Sequence, residues 1–349
     1  MRYWLKIAAF VLAVVILLLT IFNASWLASP PPGGLKVIAH RGVAQQFSRE
    51  GVERDTCTAT RIEQPVHDYL ENTPRSVQAA ARLGADMVEV DIAPTADGKI
   101  AVFHDWAVNC RTNGKGETRS LTMDQLKALD AGFGYTADGG KTFPLRGQGQ
   151  RIASLEEVLG ALPGTPILFN FKSGKPAEAD QLAAALKAAY RKVDRTRDAF
   201  YGAAGPVRRI RQIYPNNWAF SMEEAKACTK AYALTGWTGI VPKACRGGTI
   251  MIPINYQWAF WGWPDRLQQR MAAVGARVIL IGPYADGTAG TGLALPEQLP
   301  KVPASFKGYL WVEDIWTVGP ALRPGRDIRT AAQQTAAEVG LKLRRARME

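Results

Sequence analysis

Short apolar runs that end abruptly in charge recur along this chain, and helical patterns separate them. Runs at Lys36–Ala39, Asp86–Ile92, Lys99–Phe103, Pro166–Phe171, Asp198–Gly202, Asn217–Ser221, Thr249–Ile254, Arg277–Ile281 and Gly308–Ile315 have the length and apolar content of buried strands. Between them, Thr73–Leu83, Ser154–Ala161, Ala177–Val193 and Pro264–Val274 carry helical periodicity, several opening with Ser, Thr or Pro. Alternation of this kind predicts a parallel α/β sheet. The strand candidates exceed the number in an eight-stranded barrel by one. They predict a TIM (β/α)8 barrel with one run misread, Asn217–Ser221 and Thr249–Ile254 being the doubtful pair.

Two segments depart from compact barrel economy. The connection Val43–Leu70 far exceeds the usual few residues and reads as a lid or binding loop. The stretch Asn255–Trp263 is aromatic beyond what a core strand needs; core packing explains part, an apolar wall for an acyl or alcohol group the rest.

At the N-terminus, Arg2 and Lys6 precede an apolar run over Ile7–Phe22. With Trp26 and Leu27 it reaches about 20 residues, one bilayer crossing. The positive-inside rule keeps Arg2 and Lys6 cytoplasmic, and Tyr3, Trp4 and Trp26 fit interfacial belts. Trp26, Leu27 and the prolines after them weigh against a cleaved signal peptide, the alternative. Residues 1–28 are therefore read as a membrane anchor. Residues 29–35 follow as a Pro/Gly linker holding a domain off the membrane, and 36–349 as one barrel domain. On either reading that domain lies on the periplasmic or extracellular side.

Composition narrows the picture further. At 349 residues and 47% apolar, the chain has material for a sizeable core. The net charge of +12 comes without zinc-finger spacing, RNP-like sequence or a long basic block, so no nucleic-acid partner is expected. The basic run Leu341–Arg347 reads as the solvated face of a terminal helix. Four cysteines lack Cys-x-x-Cys spacing, which argues against zinc or a redox dithiol. An even count outside the cytoplasm implies disulfides. Three connectivities are possible and sequence does not choose among them; Cys57–Cys110 with Cys228–Cys245 is preferred.

Candidate chemistry gathers at the strand ends. His40 and His104 close two apolar runs, and paired imidazoles suit acid–base work near neutral pH. Glu89 and Asp91 are two apart on one strand and so share a face, the barrel interior. Two unpaired carboxylates are costly to bury, and a hard cation, Mg²⁺ or Ca²⁺, would relieve that cost, a buried Arg or Lys partner being the alternative. Arg41 suits a phosphate clamp.

Taken in order, a larger set of residues resembles the glycerophosphodiester phosphodiesterase family. It comprises His40-Arg41-Gly42, Glu71-Asn72-Thr73, Gly84-Ala85-Asp86 leading to Glu89-Val90-Asp91, then Asp97-Gly98, His104-Asp105, Arg111–Gly116, Leu129–Gly132 and Ile152–Val158. The likeness is strong over residues 36–172 and only a barrel-like rhythm beyond. It implies a TIM barrel in which His40 and His104, at adjacent strand ends, act as acid and base. It further implies Glu89 and Asp91 as metal ligands, Glu71 beside metal and substrate, and Lys172 facing the phosphate. Two departures stand out. The family's Asn-Ile-Glu-Ile-Lys strand reads Leu168-Phe169-Asn170-Phe171-Lys172 here, so Asn170 replaces a ligating carboxylate by a neutral amide oxygen. The last strand runs Trp311-Val312-Glu313-Asp314 where the family commonly has Thr-Asp-x-Pro.

The expected function is metal-dependent hydrolysis of glycerophosphodiesters or related lipid-headgroup phosphodiesters. The alternatives are a phospholipase D-like enzyme acting on intact phospholipids and a non-catalytic module that binds a phosphorylated headgroup.

Overall fold

The computed structural model describes residues 2–53, 56–194, 197–284 and 292–346. Along the chain come α1 (Arg2–Asn23), β1 (Lys36–Ala39), α2 (Pro74–Arg82), β2 (Met87–Pro94) and β3 (Ile100–Val102). There follow α3 (Met123–Lys127), β4 (Ala153–Ser154), α4 (Leu155–Ala161), β5 (Ile167–Phe171), α5 (Ala177–Ala188), β6 (Ala199–Gly202), α6 (Ala204–Ile213) and β7 (Ala219–Ser221). The remainder is α7 (Met222–Thr235), β8 (Thr249–Pro253), α8 (Asp265–Ala273), β9 (Arg277–Ile281), β10 (Tyr309–Val312), α9 (Ile315–Leu322) and α10 (Ala331–Ala346).

Two compact units are present. One comprises Met1–Lys36, Met222–Thr291 and Pro300–Trp311; the other Val37–Ser221, Gly292–Leu299 and Val312–Glu349. The larger carries parallel strands in the order β7-β6-β5-β2-β1, the smaller the parallel strands β8, β9 and β10. Both runs held doubtful, Asn217–Ser221 and Thr249–Ile254, thus supply parallel strands. The misread run is Lys99–Phe103. Its strand β3 pairs antiparallel with β2, Ile92 opposite Val102 and Pro94 opposite Ile100, and again with β4. A strand buried on both faces shows the same apolar run whichever way its partner points, so the sequence pattern holds no record of direction. β2 reverses through a tight turn in which the Thr95 N–H donates to Lys99 O at 2.9 Å and Gly98 takes a φ of +76°.

The core of the larger unit lies between its strands and helices. β2 is buried throughout, and Phe169 and Phe171 stack on Phe200 at 5.7 and 6.4 Å. A second apolar cluster sits beneath the antiparallel excursion, built from Leu70, Phe103, Val108, Leu126, Tyr135 and Ile152 among others. Part of the long Val43–Leu70 connection belongs to it: Ala59 and Ile62 are buried there, and a Cys57–Cys110 disulfide ties it down. The second disulfide joins Cys228 to Cys245, so both preferred pairs are present. Helices α2, α3 and α4 open on capping boxes, Thr73 with Ser76, Thr122 with Gln125 and Ser154 with Glu157. Each cap contributes about 1 kcal/mol.

The terminal helix corrects one expectation. Arg344 is buried, paired with Glu63 and Asp314 at 2.8 Å each, rather than solvated. Arg347 lies outside the described residues.

Candidate active site

Every residue of the candidate site belongs to the larger unit. β1 ends at Ala39, and the His40 N–H donates to Val312 O at 3.0 Å, which seats the imidazole at the strand end. Arg41 then takes a φ of +60° and Gly42 of +79°. A Cβ on Gly42 would lie 2.7 Å from Ser76 Oγ and 2.9 Å from the Ser76 carbonyl carbon. Only glycine lets this turn lie against the start of α2, which explains the third residue of His-Arg-Gly.

Glu71-Asn72-Thr73 resolves into three separate tasks. Thr73 caps α2. Asn72, at φ +60°, donates its amide to Asp91 Oδ2 at 3.0 Å and accepts from the Asp91 N–H at 3.1 Å. Glu71 receives Arg41 Nη1 and Arg111 Nη1, each at 3.2 Å from Oε1.

The register of the parallel ladder builds the floor. Asp91 stands beside Asn170 and Asn170 beside Tyr201, so these three form one row across β2, β5 and β6. Asn170 Nδ2 donates to Asp91 Oδ1 at 2.8 Å, and Tyr201 Oη donates to Glu89 Oε1 at 2.6 Å. Arg41 Nε lies 3.1 Å from Asp91 Oδ2 and Lys172 Nζ 3.7 Å from Asp91 Oδ1. Burial alone would raise the Asp91 carboxyl, but Lys172, Arg41 and the two histidines outweigh it and hold the group well below the usual range. Glu89 differs: burial and the neighbouring Asp91 charge push its carboxyl up, against the opposing pull of His40, Arg41 and Tyr201. Arg41 would lose affinity for its proton by burial, yet Asp91, Glu71, Glu89 and Glu313 more than offset this.

The two histidines are held in the same manner by different parts of the chain. His40 Nδ1 is 2.9 Å from both carboxylate oxygens of Glu313, and Nε2 is 3.8 Å from Glu89 Oε2. His104 Nδ1 is 2.6 Å from Asp105 Oδ1. An ionised carboxylate only accepts, so each Nδ1 carries the proton and each Nε2 is the working nitrogen. Burial first, then the charge of Arg41, lowers His104 to about 4, with Asp91 and Asp105 opposing. Glu313 stays ionised because His40 and Arg49 outweigh its burial; Arg49 Nη2 lies 2.6 Å away and the Gly292 N–H 3.2 Å. Asp105 is fixed by Arg111 Nε at 2.8 Å, and Arg111 reaches Tyr135 Oη at 2.6 Å and Thr58 Oγ1 at 2.9 Å.

Arg41, Asn170 and Lys172 contact Asp91, the charges of His40, His104 and Glu89 interact with it, and Glu71 joins the group through Arg41. His104 arrives differently from its sequence expectation: it follows antiparallel β3, not an adjacent barrel strand. The Phe103 N–H donates to Asp91 O at 3.0 Å, which returns His104 to the level of Asp91. Sequence reading gave no role to Glu313, Tyr201, Arg49 or Arg111. Paired charge at the end of the last strand was the one signal for Glu313; Tyr201 sits in an apolar run and looks like core.

Paired histidines, buried carboxylates and cationic side chains thus meet at the strand ends of an α/β fold. Residues 40–231 match the glycerophosphoryl diester phosphodiesterase family, and the chain belongs to it. A glycerophosphodiester phosphodiesterase of Caldanaerobacter subterraneus subsp. tengcongensis is 36% identical over 122 residues, 34% of this chain and 47% of the relative. A putative glycerophosphodiester phosphodiesterase of Bacillus subtilis, YhdW, is 42% identical over 89 residues, 26% of this chain and 33% of its own length. The chain thus spans less than half the length of these curated relatives. Among solved structures, the Agrobacterium tumefaciens glycerophosphodiester phosphodiesterase superposes with a TM-score of 0.53 at 18% identity, covering 82% of this chain and 99% of that one. An Oleispira antarctica phosphodiesterase, in complex with the product sn-glycerol-3-phosphate, gives 0.51 at 18% identity, covering 83% and 96%. These neighbours make the fold class that of the TIM (β/α)8 barrel.

Proposed function

We propose that this protein hydrolyses glycerophosphodiesters or related lipid-headgroup phosphodiesters by His/His acid–base catalysis. The observation that carries the reading is the matched support of two imidazoles about Asp91, each with Nδ1 committed to a carboxylate. His104, lowered to about 4, is unprotonated at neutral pH and takes a proton from water or from a neighbouring substrate hydroxyl. That oxygen attacks phosphorus, the P–O bond to the alcohol breaks, and His40 gives its Nε2 proton to the departing alkoxide. Glu313, bonded to Nδ1, keeps His40 oriented for that transfer. Arg41 and Lys172 hold the phosphoryl oxygens. The Oleispira relative's product complex agrees with this substrate class.

Family members generally use a divalent metal. Glu89 and Asp91 would hold one: both are fully buried and share a strand face, and burial and the Asp91 charge push the Glu89 carboxyl up, although Tyr201, the Arg41 N–H, Asn170, Asn72 and Lys172 already engage their oxygens. Two carboxylates completed by phosphate oxygens and water make an ordinary Mg²⁺ environment, Ca²⁺ being the alternative. No group of three or more His, Cys, Asp or Glu able to hold an ion is found among the described residues. Glu71 and Asn170 stand beside the pair, engaged by Arg41 and Arg111 and by Asp91 respectively. A bound cation would add positive charge at the phosphoryl oxygens.

Arg2–Asn23, long and apolar enough to cross a membrane, is proposed as a retained single-pass anchor. Two disulfides favour an oxidising, periplasmic or extracellular side for the rest. The test is to incubate the full chain in detergent with water-soluble glycerophosphodiesters and with intact phospholipids, each with Mg²⁺, Ca²⁺ or chelator, and to identify products by phosphorus NMR. Release of glycerol phosphate and a free alcohol is expected. Cleavage of intact phospholipid alone would favour the phospholipase D-like alternative, and no turnover would overturn the assignment in favour of a binding module.

A further inference from the structure

The end of α1 is built into the smaller unit. Asn23 is buried; its Nδ2 donates to Trp237 O at 2.9 Å, and its Oδ1 accepts from Arg270 Nη1 at 2.9 Å. Arg270 Nη2 also donates to Phe22 O at 3.2 Å, so a guanidinium caps the carbonyl end of the helix, where positive charge is favoured. The same Nη1 reaches Tyr232 Oη and Gly236 O, each at 3.2 Å. Ser25 Oγ accepts the N–H of Asp265, the first residue of α8, at 2.8 Å. Ala24 and Ala28 are buried, and a Cβ on Gly239 would run into the Phe22 ring. All of these contacts precede the Pro-rich spacer, so the spacer does not separate the helix from this unit.

The segments that meet at that junction expose several large apolar side chains. Leu234, two residues before Gly236, is 75% exposed, and Ile240, next to Gly239, is 70% exposed. Trp26, Leu27 and Trp237 are exposed as well. The segment from Cys228 to Cys245 that carries three of them is closed by a disulfide, and it also exposes Lys230 and Lys243. Exposed large apolar side chains on the segments that hold the end of an apolar helix, with exposed lysines in the same disulfide-closed segment, match the interfacial zone of a bilayer.

We propose that this face, Trp26, Leu27, Leu234, Trp237 and Ile240, is a bilayer-contact surface. The smaller unit then rests on the membrane at the foot of α1 instead of swinging on a tether. The proposal depends on α1 being a membrane anchor, and the experiment separates the two. The full chain is reconstituted in vesicles of phosphatidylcholine and phosphatidylglycerol, with or without acyl chains brominated near the headgroup. Carbonate extraction reads the anchor; quenching of tryptophan fluorescence reads the face. Retention in carbonate is expected for the parent, for W237F and for the L234E/I240E double variant. W237F should lose a discrete part of the quenching, and L234E/I240E should lose that same part while α1 keeps the protein bound.

Retention with equal quenching in parent and W237F would overturn the contact surface and leave the anchor standing. Release by carbonate would overturn the anchor and the surface with it. Cross-links between copies at Lys230 and Lys243, with Trp237 shielded from bromine, would replace the bilayer by a second copy of this chain and overturn the proposal.

Discussion

Replacing Glu313 by Gln tests the least expected part of the site. The change preserves size and an acceptor oxygen but removes the charge that His40 Nδ1 meets at 2.9 Å. At that separation and an effective dielectric near 20, the bare attraction to a protonated imidazole is about 6 kcal/mol. Exchange with solvent reduces this, and a charge-assisted hydrogen bond nets roughly 1.5–3 kcal/mol. Glu313→Gln should therefore lower kcat by about 10- to 200-fold. Glu313 also acts on Arg41, but as the weakest of its four carboxylate neighbours, so KM should change less than kcat. Initial rates of alcohol release from a glycerophosphodiester, across substrate concentration and pH, read both constants; circular dichroism and thermal melting check the fold. A kcat within threefold of the parent in a folded variant would refute the role given to Glu313. A large rise in KM at constant kcat would instead assign it to substrate binding.

Other expectations follow from the same geometry. His40→Ala and His104→Ala should each reduce turnover by about 10²–10⁴ with the fold retained, and near-normal rates in either would remove that histidine from the chemistry. Acid should weaken the fold before the carboxylates titrate. His67 and His104 are both lowered to about 4 by burial, so between roughly pH 6.5 and 4 the unfolded chain binds more protons, and stability falls as pH drops through that window. Each contributes on the order of 2–3 kcal/mol, read as a shift in urea midpoint between pH 7 and 4.5; an unchanged midpoint would refute the burial argument. Asn170→Asp should set two carboxylates against each other where Asn170 now donates to Asp91 at 2.8 Å. In chelator it should destabilise by about 1–3 kcal/mol, and Mg²⁺ should recover part of that with tighter binding. Equal melting temperatures with and without Mg²⁺ would exclude a cation beside Asp91.

Much of the barrel was legible because strand ends and helix starts are written locally. Ser154 with Glu157 is a capping box that opens α4 one residue from its expected start. The Glu89–Asp91 alternation likewise fixed which face those carboxylates share. Direction of pairing was not legible. Lys99–Phe103 has the apolar run of a parallel strand, yet only its distance from β2 along the chain, a tight turn, separates it from one. The support of the site was hidden for another reason. Arg49, Arg111 and Glu313 are far apart in sequence and acquire meaning only when folding brings each to a catalytic partner. Tyr201 was concealed by its own character, since an aromatic ring in a strand packs like core until its hydroxyl finds Glu89.

The antiparallel excursion that returns His104 to Asp91 has a consequence for how the protein wears out. His40 and Arg41 are seated at the end of the parallel ladder, whereas His104 rides on a three-residue strand over its own small apolar cluster, closed by Cys57–Cys110. Segments with separate cores open separately. Ageing, heat or reduction would loosen the His104 side first and leave His40 and Arg41 in place. On the proposed roles, a molecule damaged in this way would bind substrate without turning it over.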